Sequence, residues 1–335
     1  MKILLVCRCD GWMGDYMSQV SSGFVPLGHE VERLDYHRWD KGFLRRISGK
    51  GPRAVEHRTA KLAKHLADSR PRLVIFALAH LLFDFGFLRN TFEGPMVFFD
   101  MDGPALPCYQ DDLRWVRDMD LVATVSRRAL RHLNARGHDN ILYWPHGVDH
   151  EKYRPLALSA QDLSRFSSPL AFVGRPTERR AALLGTLPAQ SLALWGSRWS
   201  RKPYRDDPAL AGAVREKEDI LGENLVKMYN ASTVLLNILR EPFAEAPTIL
   251  NLQVFAVPAC GTCLLTEWVE EVEEAFEPGA EILTFRTPEQ FTEQALRYSR
   301  DPAAARKIGA AGRKRCLAHH THTHRARELL KALGM

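Results

Sequence analysis

The sequence predicts an α/β fold of two Rossmann-like, doubly wound domains facing each other across a cleft. Three observations predict it. The chain has 335 residues, more than one hydrophobic core usually serves. Apolar runs of strand length alternate along it with polar stretches of helix length, the pattern of βαβ units and parallel sheets. A polar segment with two prolines, PHGVDHEKYRPLALSAQDLSR (145–165), interrupts the alternation near the middle, and a second alternating series begins beyond it. The expected division is an N-terminal domain over 1–155, a C-terminal domain over 166–318 and a closing segment over 319–335.

The elements follow in order. Lys2–Cys7 is an almost unbroken apolar run, as in a strand covered on both faces. The loop CDGWMGDY follows, then a helix from about Tyr16 to Val25, which Pro26 and Gly28 stop. His29 to Leu34 opens a second strand, and the basic, polar stretch from Asp40 to Ser69 includes a helix. Leu73–Leu78, Pro95–Asp100, Asp120–Ser126 and Ile141–Trp144 are the next strands. In the second half the strands are Leu170–Val173, Ser191–Trp195, Thr233–Ile238, Thr262–Thr266 and Glu281–Phe285, with helical stretches between them.

Composition narrows the function classes. Hydrophobic residues make up 45% and charged residues 26%, ordinary for a soluble globular chain. No apolar run approaches the ~20 residues that span a bilayer, and the N-terminal run lacks the long core and cleavage site of a signal peptide. Six cysteines in a chain this long make no disulfide framework, which points to a reducing cytoplasm. Cys260 and Cys263 form a CxxC with no second pair or histidine pair at metal-ligand spacing, so it reads as a turn entering a buried strand. The net charge of +6 favours anionic ligands such as nucleotide phosphates and permits a nucleic-acid acceptor. Yet the basic residues are spread along the chain, and the densest cluster, RRISGKGPR (45–53), has none of the interleaved aromatics of single-strand binders.

A series of longer motifs carries a family resemblance. It runs GHEV (28–31), DLVATVS (120–126), WPHGVDHEKYRP (144–155), AFVGRPTERRAALL (171–184) and ALWGSRW (193–199). LVKMYNASTVLLNILR (225–240), FAVPACGTCLLTE (255–267), AFEPGAEILTF (275–285) and HTHTHRARELL (320–330) complete it. In this order they resemble the GT-B glycosyltransferases of the family-1/family-4 kind, most closely the branch named after the spore maturation protein CgeB, over nearly the whole chain. The resemblance implies transfer of a sugar from a nucleotide-diphosphate donor to an acceptor it does not identify. It also implies retention of configuration, no obligatory metal and no cofactor beyond the sugar nucleotide. The closing helix would pack back on the N-terminal domain.

What that chemistry needs is stabilisation of a departing diphosphate, by basic side chains and backbone N–H groups in place of a metal. Gly174 and Arg175 stand just after a strand, which puts Arg175 at the expected cleft, and an arginine forks onto phosphate oxygens. The resemblance adds Arg180 as a second basic group, with Gly196, Asn237, Thr248, Cys260, Gly261 and Thr262 on the donor side. The chain departs from the family where the latter carries two acidic residues eight apart. Thr248 and Ala256 stand at those positions, and Ala256 cannot accept hydrogen bonds from a ribose. The departure opens a second reading, a nucleotide-sugar or glycan-binding homologue that has lost catalysis.

On the acceptor side, Gly11, Trp12 and Gly14 form a candidate wall, the glycines allowing close approach of the backbone. Asp15 is a candidate base or a helix cap. His80 occupies the strand end where the family places a histidine near the sugar, and Asp100 and Asp102 a strand end where it often has an aspartate. His319, His320, His322 and His324 read as packing on the closing helix, with a metal site as the alternative.

Overall fold

The structure is a computed structural model that describes residues 1–39, 51–77, 79, 82–101, 113–216, 219–239 and 249–335. It divides into two compact units. One comprises Met1–Gly147 with His322–Met335 and the other Val148–Thr321, so the chain passes between them twice. Both are α/β units with parallel sheets.

The first unit runs β1 (Lys2–Cys7), α1 (Gly11–Ser22), β2 (Glu30–Asp35), α2 (Pro52–Ser69), β3 (Leu73–Ala77), α3 (Phe85–Thr91), β4 (Met96–Asp100), α4 (Arg114–Arg117), β5 (Leu121–Thr124), α5 (Arg127–Asn134) and β6 (Ile141–Tyr143). Its six strands are ordered β2-β1-β3-β4-β5-β6, all parallel. Every residue of β3, β4 and β5 is buried, because crossover helices cover both faces of such a sheet.

The second unit runs α6 (Ala160–Phe166), β7 (Ser168–Val173), α7 (Glu178–Leu184), β8 (Leu192–Trp195), α8 (Gly222–Ala231), β9 (Ser232–Asn237), α9 (Gln253–Ala259), β10 (Cys263–Glu267), α10 (Val272–Ala275), β11 (Leu283–Phe285), α11 (Pro288–Arg300) and α12 (Pro302–His319). Its five strands are ordered β11-β10-β9-β7-β8, again all parallel. The two-residue period of a strand divides its core cleanly. Leu170, Phe172, Val234 and Leu236 enter the cluster on one face, and Ala171, Leu235 and Leu264 that on the other. The chain then returns to the first unit as α13 (His322–Ala332), which packs against α1.

Two local readings change. The helix after β1 begins at Gly11 rather than Tyr16, so Asp15 lies on its exposed side, bonded to Gln19 at 3.1 Å, and is not its cap. The early start depends on Gly14, where an added Cβ would lie 2.2 Å from the Cys9 carbonyl oxygen. The segment 145–165 is also not wholly irregular. Ser159 and Asp162 cap each other's backbone N–H groups and start α6, a capping box present in the sequence as SAQD. No helix among the described residues is long and apolar enough to cross a membrane.

Candidate functional site

The carboxyl ends of β7, β8, β9 and β10 share one edge of the second sheet. From β7 the chain continues to β8 on one side, while β9, β10 and β11 lie on the other, so the topology reverses between β7 and β9. Open α/β sheets take ligands at such a point.

Two glycines shape this edge. The Gly174 N–H donates to the Trp195 carbonyl at 3.0 Å, and the Trp199 indole donates to the Gly174 carbonyl at 2.7 Å. A Cβ on Gly196 would sit 2.6 Å from that same Gly174 oxygen, and Gly196 has φ 129, so only glycine lets the two strand ends close on each other. Beyond the glycines the chain exposes Arg175 after β7 and Arg198 after β8. Arg198 holds φ 83, a left-handed conformation costing on the order of 1–3 kcal/mol for a non-glycine residue and concentrated at functional sites. The Ser197 N–H donates to Asp219 at 2.7 Å. That bond, and beyond it the charges of Arg175 and Arg198, hold the Asp219 carboxyl below its usual range. Two exposed guanidinium groups thus flank one ionised carboxylate at the strand ends.

The neighbouring charged residues are turned inward. Arg180 is buried, stacks over Phe172 at 5.3 Å and donates from Nε and Nη2 to the Ile238 carbonyl (3.0 and 2.6 Å) and from Nη1 to that of Arg175 (2.9 Å). It braces the ends of β7 and β9 and does not present its fork outward as a second phosphate ligand would. Arg179 pairs with Glu267 at the end of β10, and Glu267 also accepts from the Leu239 N–H at 3.1 Å. Asn237 is likewise structural, exchanging hydrogen bonds with Asn251 (3.1 and 2.8 Å) and donating to Thr266 at 2.9 Å. Gln253, the first residue of α9, reaches the Val173 carbonyl at 3.1 Å, and Ala256 is buried inside that helix.

Cys260, Gly261 and Thr262 are not part of this edge. They precede β10, so they lie at its amino end, about 16 Å of strand from Glu267 at ~3.3 Å per residue. Thr262 donates to the carbonyl of Tyr229, in the helix that feeds the amino end of β9. Against Gly261 packs α12, whose Gly309 would place a Cβ 2.3 Å from the Gly261 oxygen. Both Cys260 and Cys263 are buried in the hydrophobic clusters on the two faces of the sheet, so the CxxC is core packing, and burial pushes both thiols up to about 12.

In the first unit the described acceptor-side residues stand at the carboxyl ends of β1 and β4, two strands apart in the sheet. Gly11 and Trp12 open α1 at the carboxyl end of β1, where the Trp12 indole is 54% exposed, and Gly14 packs on Cys9. Asp100 is fully buried at the end of β4 and accepts from the Thr124 hydroxyl at 2.7 Å. His80, Asp102 and Thr248 lie outside the described residues. Of the four terminal histidines, His320 and His322 are buried in packing, His324 is half-buried and His319 is exposed. His320 bonds the Ala275 carbonyl at 2.8 Å and packs at a tilt against Phe255 and Phe276, and His322 lies against Tyr16. Among the described residues no cluster of three acidic, histidine or cysteine side chains is arranged to hold a metal ion.

Arg198 and Asp219 escaped the sequence reading. Arg198 had a signal, since it stands two residues past a strand-ending glycine, much as Arg175 follows Gly174. Asp219 had none, because it joins the site from 22 residues beyond the Ser197 N–H it accepts from.

This architecture is that of the GT-B glycosyltransferases. Residues 179–331 match the family model described as glycosyl transferase-like. The whole chain superimposes on sucrose-phosphate synthase from Thermosynechococcus elongatus with a TM-score of 0.73 at 16% identity, covering 99% of both chains. A glycosyltransferase from Rickettsia africae gives 0.70 at 13%, over 98% of this chain and 97% of that one. HepE from Anabaena, in complex with UDP-glucose, gives 0.69 at 12%, over 100% of this chain and 99% of that one. No curated protein matches the chain in sequence.

Proposed function

We propose that the protein is a cytoplasmic glycosyltransferase of the CgeB-like branch. It moves a sugar from a nucleotide-diphosphate donor to an acceptor not yet identified, with retention of configuration and without a metal. The carrying observation is the edge where Gly174 and Gly196 draw two strand ends together and leave Arg175 and Arg198 exposed beyond them. An arginine keeps its charge at any physiological pH and offers paired donors to phosphate oxygens. Charge that builds on the leaving diphosphate is then met by groups already in place, which is how a transition state is favoured over the ground state. A homologous fold holding UDP-glucose supports a sugar nucleotide as the donor.

The buried Ala256 favours a second reading, a binding protein for nucleotide sugars without catalysis, because it removes the acid that in related enzymes takes the ribose hydroxyls. The test is a thermal-shift screen with UDP, GDP, TDP, CDP and ADP, with and without EDTA. Stabilisation by one nucleotide, unchanged by EDTA and lost in Arg175→Ala, is the expected outcome. No response to any nucleotide would sink both readings. Binding without turnover of the matching sugar nucleotide, including its slow hydrolysis, would leave the second.

A further inference from the structure

We propose that Cys7 and Cys9 form a reversible disulfide that reorganises the start of α1. Their sulfurs lie 3.8 Å apart, with Cys7 the last residue of β1 and Cys9 two residues on, outside the strand. Among the described cysteines Cys260, Cys263, Cys316 and Cys7 are buried, and Cys9 alone reaches solvent. An oxidant therefore meets Cys9 first, and Cys7 is the thiol that resolves it.

The closure cannot be silent. Two residues of extended chain separate Cα atoms by up to about 7 Å, the upper limit for a disulfide, and the sulfurs must approach to about 2 Å. Drawing the sulfurs from 3.8 Å to that length pulls the chain at Cys9 toward the end of β1, which shifts the Cys9 carbonyl. Helix α1 is packed on that carbonyl through Gly14, and the Gly14 N–H bonds the Asp10 carbonyl at 3.0 Å. Movement at Cys9 thus reaches the first turn of α1, which carries Trp12.

With glutathione disulfide as oxidant the step balances. The Cys9 thiolate attacks one glutathione sulfur and releases glutathione thiolate. The Cys7 thiolate then attacks the Cys9 sulfur and releases a second glutathione, so two protein thiols are oxidised as one disulfide is reduced. Burial above all raises the Cys9 thiol above its usual range, Asp35 adds to it, and the Cys7 thiol, Arg33 and Arg38 oppose it; burial raises Cys7 likewise, so both thiolates are scarce near neutral pH. The reaction accordingly accelerates about tenfold per pH unit between pH 7 and 8.

Trypsin reads the outcome directly, because it cuts at Lys2, Arg8 and Arg33 and so separates Cys7 from Cys9. The full chain is incubated with glutathione disulfide at pH 8, quenched with N-ethylmaleimide, denatured and digested. The expected product is peptide 3–8 joined to peptide 9–33, released by dithiothreitol and absent from Cys9→Ser. Two alkylated peptides, or glutathione retained on Cys9 beside alkylated Cys7, would overturn the disulfide. Hydrogen exchange tests the consequence. Amides 11–16 exchange faster in the oxidised protein, and equal exchange in both forms would overturn the link to α1.

Discussion

The carboxyl edges of the two sheets are built from the same kinds of side chain and treat them in opposite ways. In the first unit several described polar groups are buried and bonded to one another. Asp100 bonds Thr124, the Tyr16 hydroxyl meets His146 Nδ1 at 2.6 Å, and Arg325 donates to the Pro145 and His146 carbonyls at 2.9 and 3.3 Å. In the second unit two arginines stay in solvent beyond a glycine-lined approach, with a carboxylate that only partly offsets them. Removing a charge from water is costly unless partners replace it. These described groups of the first edge are thus spent on folding, apart from the exposed Arg8–Asp10 pair past β1, whose charges offset each other, whereas the second edge keeps charge available for an anion. The difference predicts that the first unit answers to pH and the second to nucleotide.

The largest expected effect is on the first unit. Burial, and then Arg325, pushes His146 down to about 3, and burial with His146 and Arg325 does the same to His322. Both imidazoles are neutral in the fold and titrate near 6.5 once unfolded, so the unfolded chain binds more protons below that value. The stability they hold is complete above pH 6.5 and is lost as pH falls toward 3. At about 1.4 kcal/mol per pH unit for each group, the loss at pH 5 is about 4 kcal/mol. Denaturant melts from pH 7 to 5 measure it, and His322→Gln should roughly halve the slope. An unchanged slope would break the contrast between the edges.

Next in size is Gly196→Ala. It forces a Cβ against the Gly174 oxygen at positive φ, at a cost of about 1–3 kcal/mol of stability. The same urea melts detect it, and the nucleotide response should vanish with it. Arg175→Ala and Arg198→Ala should leave the melts nearly unchanged and weaken nucleotide binding roughly tenfold or more, about 1.5–3 kcal/mol per lost charged bond, by titration calorimetry. Arg180→Ala is the control that sharpens this pair, since it leaves the Ile238 and Arg175 carbonyls without their donor and should act on stability first. The smallest effect belongs to Trp12→Ala, whose exposed indole should change stability by less than about 0.5 kcal/mol. A larger change would mean that Trp12 is part of the core of α1.

Much of this was legible in the chain. Ten apolar runs marked strands to within a few residues, from Lys2–Cys7 to Leu283–Phe285, because a strand covered on both faces has little choice of residue, while β2, EVERLD with no buried residue, was read from Val31 and Leu34 after the Gly28 stop. The position of Gly174 and Arg175 just past a strand was legible because the apolar run of β7 stops there, whereas the close approach of Gly174 and Gly196 was not. The roles of Arg180, Asn237 and Asp100 were not. Arg179 and Arg180 are adjacent and alike in sequence, and the difference between them comes from the Ile238 carbonyl, 58 residues from Arg180, and from Glu267, 88 residues from Arg179. Local pattern fixes which segments must be covered, since that depends on the hydrophobicity of neighbours in sequence. Which charged group is buried and which is left for a ligand depends on the carbonyls and carboxylates that distant segments bring to it, and only the tertiary structure decides that.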